Sequence, residues 1–295
     1  MKDLLDAVCR HAEAHADADG IARTPIPGLT TVRATAPSGL VYAISRPLVA
    51  LVVQGRKQVT QGRQVLDMAP GESLLITADV PTVSQITRAT LASPYYSLVL
   101  ELDTAAVAAL AGEMQAATAG KLAPVRVVPT DAEVADAGLR LLRLLERPQA
   151  LPLLQASLLR EMHYWLLAGR HGEAIRALGG PGGQAARIAR VVALLRAEFA
   201  RPWAVEQLAE VAGLSASAFH RRFREATSLS PLQFQKNLRL IEARRLMLAD
   251  GVSASSAAFA VGYESVPQFT REYGRLFGQP PARDVAAARL SARAA

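Results

Sequence analysis

Arg221 and Arg271 stand 50 residues apart in matching surroundings. Around the first lie Ala209, Gly213, Ser215, Phe219 and Phe223; around the second lie Ala258, Gly262, Ser265, Phe269 and Tyr273. The offset is 49 residues before each serine and 50 from it onward, so the second copy has one extra residue in its turn. A guanidinium is a permanently charged planar fork of donors, suited to the edge of guanine or to a phosphate oxygen pair. His220, next to Arg221, can donate or accept at a base edge. The chemistry open to these groups is recognition of a polyanion.

Each set makes sense as a helix-turn-helix. Ala209 and Ala258 are small enough to let a first helix approach a second closely. Gly213 and Gly262, four residues later, can take the left-handed conformation that ends a helix. Ser215 and Ser265 can cap the next helix; Ser265 has Gln268 at the capping-box position and Pro267 in the first turn. Phe219 with Phe223, and Phe269 with Tyr273, lie four apart and face a core, which turns His220, Arg221 and Arg271 outward. Between the sets, Ser230, Pro231 and Gln233 form a second capping signal. It opens a helix predicted over 231–249, with Leu238, Ile241, Leu246 and Leu248 on its apolar side. Such a strut can hold two recognition helices for successive major-groove segments about 34 Å apart.

Charge supports that reading. The chain of 295 residues carries 33 Lys+Arg and 26 Asp+Glu, a net charge of +7. Residues 1–184 hold 17 of each sign, so the remaining 16 − 9 = +7 lies wholly in residues 185–295. A basic segment joined to a neutral one implies that only the former meets a polyanion. The most apolar stretch, 151–167, is interrupted by Gln155, Arg160, Glu161 and His163, which excludes a membrane span there. The first fifteen residues carry Asp3, Asp6 and Glu13 and do not fit a signal peptide. The single cysteine, Cys9, forms no intrachain disulfide and fits a reducing compartment, so a cytoplasmic location is expected.

The first half reads differently. Residues 1–20 form a short Ala-rich helix, and from Val32 to Leu102 short runs of β-formers alternate with turns. Strands are predicted at 48–53, 58–61, 65–68, 73–77, 83–87 and 97–102, separated by Gly and Pro turns, as in a small antiparallel barrel or sandwich. Helical periodicity follows at 105–118, 131–146 and 153–167. The run Gly179 to Gly183, with Pro181 at its centre, breaks regular structure. The fold class expected is α+β: an antiparallel β-barrel domain with flanking helices over 1–178, a Gly-rich linker at 179–184, and an all-α domain with two helix-turn-helix units over 185–295.

Residues 203–223, and above all Val261-Gly262-Tyr263-Glu264-Ser265 with Phe277-Gly278-Gln279-Pro280-Pro281, resemble the DNA-binding domain of AraC/XylS-type bacterial regulators. The likeness covers about 185–285. Residues 49–102, including Val53-Gln54-Gly55-Arg56-Lys57 and Pro70-Gly71-Glu72, resemble the cupin-like N-terminal domain of one branch of that family. The resemblance implies double-stranded DNA as partner, with base contacts from Ser217, His220 and Arg221 in the first unit. In the second it implies Val266, Pro267 and Arg271, with Gln268 and Thr270 close by and Ser265 at the head of the helix. Val266 and Pro267 depart from the polar residues used by some members and can touch a thymine methyl only. Arg224, with Arg222, Arg239 and Arg275, reads as phosphate-binding or solvent-facing. Ala204 stands where the family often has Ser or Thr, which weakens a helix cap.

The predicted barrel contains no histidine; the five lie at 11, 15, 163, 171 and 220. Neither metal ligands nor a nucleophile with its base is present there, so a cupin-type enzyme is disfavoured and no catalytic residue, metal or cofactor is expected. Cys9, His11 and His15 are close enough in sequence for a metal or redox sensor, against which stands an ordinary surface helix. The domain is expected to bind a small organic effector, with Arg33, Tyr42, Gln54, Gln85, Tyr95 and Tyr96 as polar candidates in an apolar pocket. The helices at 131–167 serve either as a homodimer seam or as packing against the barrel. The expected whole is a regulator controlled by an effector, with RNA polymerase as a further partner; a protein whose first domain only dimerises is the alternative.

Overall fold

The structure is a computed structural model that describes residues 1–114, 124–176 and 184–294. The chain divides into two compact units, Met1–Val41 with Ser45–Gly182, and Tyr42–Ile44 with Gly183–Ala295. Apart from Gln184, the predicted linker lies outside the described residues, as do positions 115–118 of the helix predicted over 105–118.

The N-terminal part runs α1 (Lys2–His15), β1 (Ile21–Arg23), β2 (Leu29–Ala34), β3 (Val41–Ile44), β4 (Leu48–Gln54), β5 (Arg56–Gln61), β6 (Gln64–Met68), β7 (Glu72–Ile76), β8 (Pro81–Arg88), β9 (Tyr95–Glu101), α2 (Thr104–Glu113), β10 (Val125–Pro129), α3 (Ala132–Leu145), α4 (Leu151–Ala168) and α5 (Gly172–Arg176). The strands form a six-stranded sheet, β1-β2-β9-β4-β7-β10, and a four-stranded sheet, β3-β8-β5-β6. This is the expected antiparallel β-rich domain, built as two sheets.

Two cores share the larger sheet because side chains alternate along a strand. Val49, Leu51, Leu98 and Leu100 face one way and join Leu4, Val8 and Ala12 of α1, Leu141 and Leu142 of α3, and Met162 and Leu166 of α4. Ala50, Val52, Leu74 and Ile76 face the other way and meet Val59, Met68 and Ile86 of the smaller sheet. The central strand β4 is therefore buried on both faces, which explains its unbroken apolar run.

The C-terminal unit is helical: α6 (Gln184–Ala197), α7 (Val205–Ala212), α8 (Ala216–Thr227), α9 (Pro231–Ala249), α10 (Ala254–Ala260), α11 (Val266–Phe277) and α12 (Pro281–Ala294). Helices α7–α8 and α10–α11 are the two predicted modules. The predicted span of α9 matches, and Leu238, Ile241 and Leu246 of its predicted apolar side pack on the cores, though they are not its deepest residues. Phe234, Leu240, Ala243 and Met247 are buried, whereas Leu238, Ile241 and Leu246 are only partly so. The reason is that α9 serves two cores at once. Phe234 packs with Phe219 and Phe223 in the first module, and Leu240, Ala243 and Met247 pack with Phe269 and Tyr273 in the second.

Candidate nucleic-acid interface

Each turn is built as its residues dictate. Gly213 closes α7 at φ 62°, ψ 42°, and Gly262 follows α10 at φ 87°. Ser215 Oγ accepts from the Ala218 N–H, and Ser265 Oγ from the Gln268 N–H, each at 3.4 Å. At the head of α9 the capping box closes in both directions, Ser230 with Gln233. The box predicted for Ser265 is only half made, because Gln268 Nε2 turns to Glu272 at 3.3 Å. Ala204 has no oxygen to cap α7, though Gln207 Oε1 accepts from its N–H at 3.2 Å.

Phe219, Phe223, Phe269 and Tyr273 are fully buried. That fixes the roll of α8 and α11. Ser217, His220, Arg221 and Arg224 are exposed on α8, and Pro267, Gln268 and Arg271 on α11. Ser265, Val266 and Thr270 are half-buried, and the Thr270 hydroxyl is spent on the Val266 carbonyl at 2.9 Å. Arg222 pairs with Glu225 at 3.1 Å, and Arg275 is exposed.

Arg239 departs from expectation. It is half-buried, with Nε donating to the Phe199 carbonyl at 2.7 Å, Nη1 to the Gly262 carbonyl at 2.9 Å and Nη2 to the Ala200 carbonyl at 2.9 Å. It is an internal brace rather than a phosphate or solvent group, because α9 is enclosed by both modules at this level.

Sequence reasoning also missed the node that seats α11. Glu272 accepts from Tyr263 Oη at 2.7 Å, Lys236 Nζ at 2.8 Å and Gln268. Burial works against its charge, but these hydrogen bonds outweigh it and hold the carboxyl below the ordinary carboxylate range. At the far end, Asp284 takes Tyr273 Oη at 2.6 Å and Arg244 Nε at 2.7 Å. Lys236 and Glu272 lie 36 residues apart, so no local pattern signals the pair.

In the N-terminal unit the effector candidates do not converge. Tyr95 lies between the sheets, where burial pushes its hydroxyl pKa up to about 12. Tyr96, its neighbour, faces α1 and donates to Glu13 at 2.6 Å, and Arg33 stands opposite it across β2 and β9. Gln54 Nε2 is spent on the Pro94 carbonyl at 2.8 Å, and Gln85 Nε2 on the Ser38 carbonyl at 2.9 Å. Tyr42 divides with the C-terminal unit. The residue that sequence reasoning missed is Lys57: it sits across from Met68 and Ile86, both in the inter-sheet core, and burial lowers its pKa. Its signal was a charge at an inward position of an alternating strand. Near the N-terminus, His11 Nδ1 meets Thr31 Oγ1 at 2.8 Å and His15 Nδ1 meets the His11 carbonyl at 3.0 Å. Among the described residues no cluster of three or more His, Cys, Asp or Glu side chains is placed to hold a metal, and no helix is long and apolar enough to cross a membrane.

Comparison with known proteins matches residues 25–174 to the family of AraC-type transcriptional regulator N-termini and residues 208–285 to a helix-turn-helix domain family. The HTH-type transcriptional regulator GbdR of Pseudomonas aeruginosa is 32% identical over 95 residues, covering 32% of this chain and 26% of the relative. The HTH-type transcriptional activator RhaS of Escherichia fergusonii is 31% identical over 96 residues, covering 32% of this chain and 34% of the relative. The matched stretch thus spans only about a quarter to a third of these curated relatives' length. Among solved structures, ToxT from Vibrio cholerae shares the fold, with a TM-score of 0.60 at 9% identity over 87% of this chain and 97% of that one. ToxT with bound unsaturated fatty acid gives 0.54 at 9% identity, over 88% and 93% of the two chains.

Proposed function

Because the chain belongs to the family of AraC-type transcriptional regulators, we propose that it binds specific double-stranded DNA through α8 and α11 and regulates transcription there. The observation that carries this is the pair of outward guanidinium groups, Arg221 and Arg271, each on a helix whose other face is locked into a core by two aromatic rings. The roles of Ser217, His220, Pro267 and Gln268 as base-reading groups, and of Arg224 and Arg275 as phosphate contacts, follow from their exposure on the same helices, with half-buried Val266 at the head of α11 beside them. The matched families and relatives are regulators rather than enzymes.

The first unit is read as the sensor. ToxT has been solved with an unsaturated fatty acid and with a naphthalenyl butenoic acid, both acids with apolar bodies. An organic acid suits this chain too, with Lys57 as the cation facing an apolar interior. A second copy of the chain is the reading favoured for α4, where Leu153, Leu154 and Tyr164 are exposed at 77%, 49% and 39%. RNA polymerase is the further partner that a regulator at a promoter requires.

The test is DNA binding by the full chain to the region upstream of its own gene, across salt concentrations. Arg221→Ala and Arg271→Ala should each cost about 1–3 kcal/mol on the cognate site and relax base preference at one position. Wild-type affinity and specificity in both variants would remove α8 and α11 as the reading helices.

A further inference from the structure

The turn between α6 and α7 exposes three consecutive carbonyls, Phe199, Ala200 and Arg201, and α9 takes all of them. Gln235 Nε2 donates to Phe199 at 2.9 Å and to Arg201, while Arg239 donates to Phe199 and Ala200. Turn carbonyls lack partners within a regular element, and here one helix supplies a donor to every one. The third arm of Arg239 reaches across to the Gly262 carbonyl, in the turn of the second module. One guanidinium therefore ties the approach to α7 and the turn before α11 to a single point on α9.

The backbones also abut. A Cβ on Gly262 would lie 2.1 Å from the Ala200 carbonyl oxygen, so the second module's turn rests directly on the first module's approach. The first module has no counterpart to this. A Cβ on Gly213 would meet only Arg187 Nη1, at 4.0 Å, and the Gly213 carbonyl takes a single exposed bond from Arg187 at 3.1 Å. The repeat places Arg190 at the position matching Arg239, and Arg190 is exposed. The two copies thus differ at the junction between them, and the difference is a brace.

We propose that Arg239 is a positioning residue that sets the distance and phase between α8 and α11, and hence the half-site spacing the protein accepts on DNA. Planar, forked donors meet three carbonyls in three directions, which fixes rotation as well as distance; a single bond would leave a hinge. One added base pair turns the second half-site by about a tenth of a helical turn and moves it along the axis. A braced pair cannot follow that displacement, and a hinged pair can. The inference rests on the reading of both helices as DNA-contacting.

The experiment uses the full chain and a site recovered by selection from random DNA with the wild type. Duplexes with one base pair inserted or removed between the half-sites are then titrated with wild type, Arg239→Gln and Arg239→Lys. Wild type should lose about tenfold or more on either altered duplex, the scale of one forfeited base-contacting arm. Arg239→Gln should bind the selected duplex more weakly yet lose only about two- to threefold on the altered ones, with Arg239→Lys between. Thermal unfolding of each variant accompanies the titrations. A variant profile parallel to that of wild type overturns the assignment. A flat wild-type profile overturns it without any variant, even if both variants fail to fold. Failure of the underlying reading looks different: Arg221→Ala or Arg271→Ala would then leave binding to the selected duplex unchanged.

Discussion

The same alanine substitution at the two turn glycines should have unequal cost. Gly213 and Gly262 both hold positive φ, so alanine at either site meets the left-handed penalty of about 1–2 kcal/mol. Part of that is returned by the stiffer unfolded chain, about 0.4–1 kcal/mol. At Gly213 the new methyl enters open space, its nearest neighbour 4.0 Å away, so a net loss of about 1 kcal/mol is expected. At Gly262 the methyl would sit 2.1 Å from the Ala200 oxygen and 2.9 Å from its carbonyl carbon, both backbone atoms. Relieving that overlap means moving the α6–α7 turn against the hydrogen bonds from Arg239 and Gln235, which adds about 1–3 kcal/mol. Gly262→Ala should therefore cost about 3 kcal/mol, roughly 2 more than Gly213→Ala. The chain has two units, so the signal must report one of them. The only tryptophans are Trp165 and Trp203, and in a Trp165→Phe background Trp203 reports the C-terminal unit alone. Urea unfolding followed by its fluorescence gives the midpoint shift at constant slope. If the two alanine variants fall within about 0.5 kcal/mol of each other, the abutment of the modules is wrong.

His171 is buried against Ser73, and burial, with a smaller contribution from Arg126, pulls its pKa from 6.5 down to about 4. Between those values the unfolded chain binds a proton that the folded chain refuses, so stability falls as pH falls from 6.5 to 4, by about 3 kcal/mol in all. His171→Gln should abolish that part of the pH dependence in N-terminal-unit unfolding followed by Trp165 in a Trp203→Phe background; an unchanged slope would show that the imidazole is not held neutral. If the sensor takes an organic acid at Lys57, a medium-chain carboxylic acid should raise the Tm of the wild type, while the corresponding alcohol should not. Lys57→Met should remove that rise and leave the Tm of the free chain equal or higher, because a half-buried cation facing the inter-sheet core has been replaced by an apolar chain; an acid that still stabilises the variant would place its site elsewhere.

The modules were legible because their packing residues repeat: alanine, glycine, serine and paired aromatics recur at one offset, and the outward face follows from the inward one. Less was legible where a partner lies far along the chain. Lys236 meets Glu272 from 36 residues away, and Arg239 meets carbonyls about 40 and 23 residues away, without any local spacing to announce them. In the β-rich unit, most strand positions were recoverable from turn residues, but β1, β2, β3 and β10 were missed. Ile21–Arg23 and Val41–Ile44 are only 3 and 4 residues long, and Val125–Pro129 sits among helical stretches. Inward faces were beyond reach for a further reason. The register shifts between Val52 and Gln54 and again between Arg56 and Lys57, so alternation cannot be counted through the β4–β5 corner. That corner is where Gln54 leaves the interior and Lys57 joins it.

What the repeat preserves is the set of residues that builds each module: Ala209 and Ala258, and Phe219 and Phe269, match in role, and Gly213 and Gly262 both turn the chain at positive φ. What it does not preserve falls into two groups. One is the reading surface, where Ser217 and His220 on α8 face Pro267 and Thr270 on α11 at the repeat's offset. The other is the junction, where Arg239 is enclosed and Arg190 is exposed. A duplicated module that kept both surfaces alike would favour two equal half-sites at any spacing its hinge allowed. Divergence in both, with the second group rigidifying the first, instead specifies two unlike half-sites in one order and at one spacing. On the proposed reading the target is therefore an asymmetric sequence, and inverting one half-site within it should cost as much as deleting it.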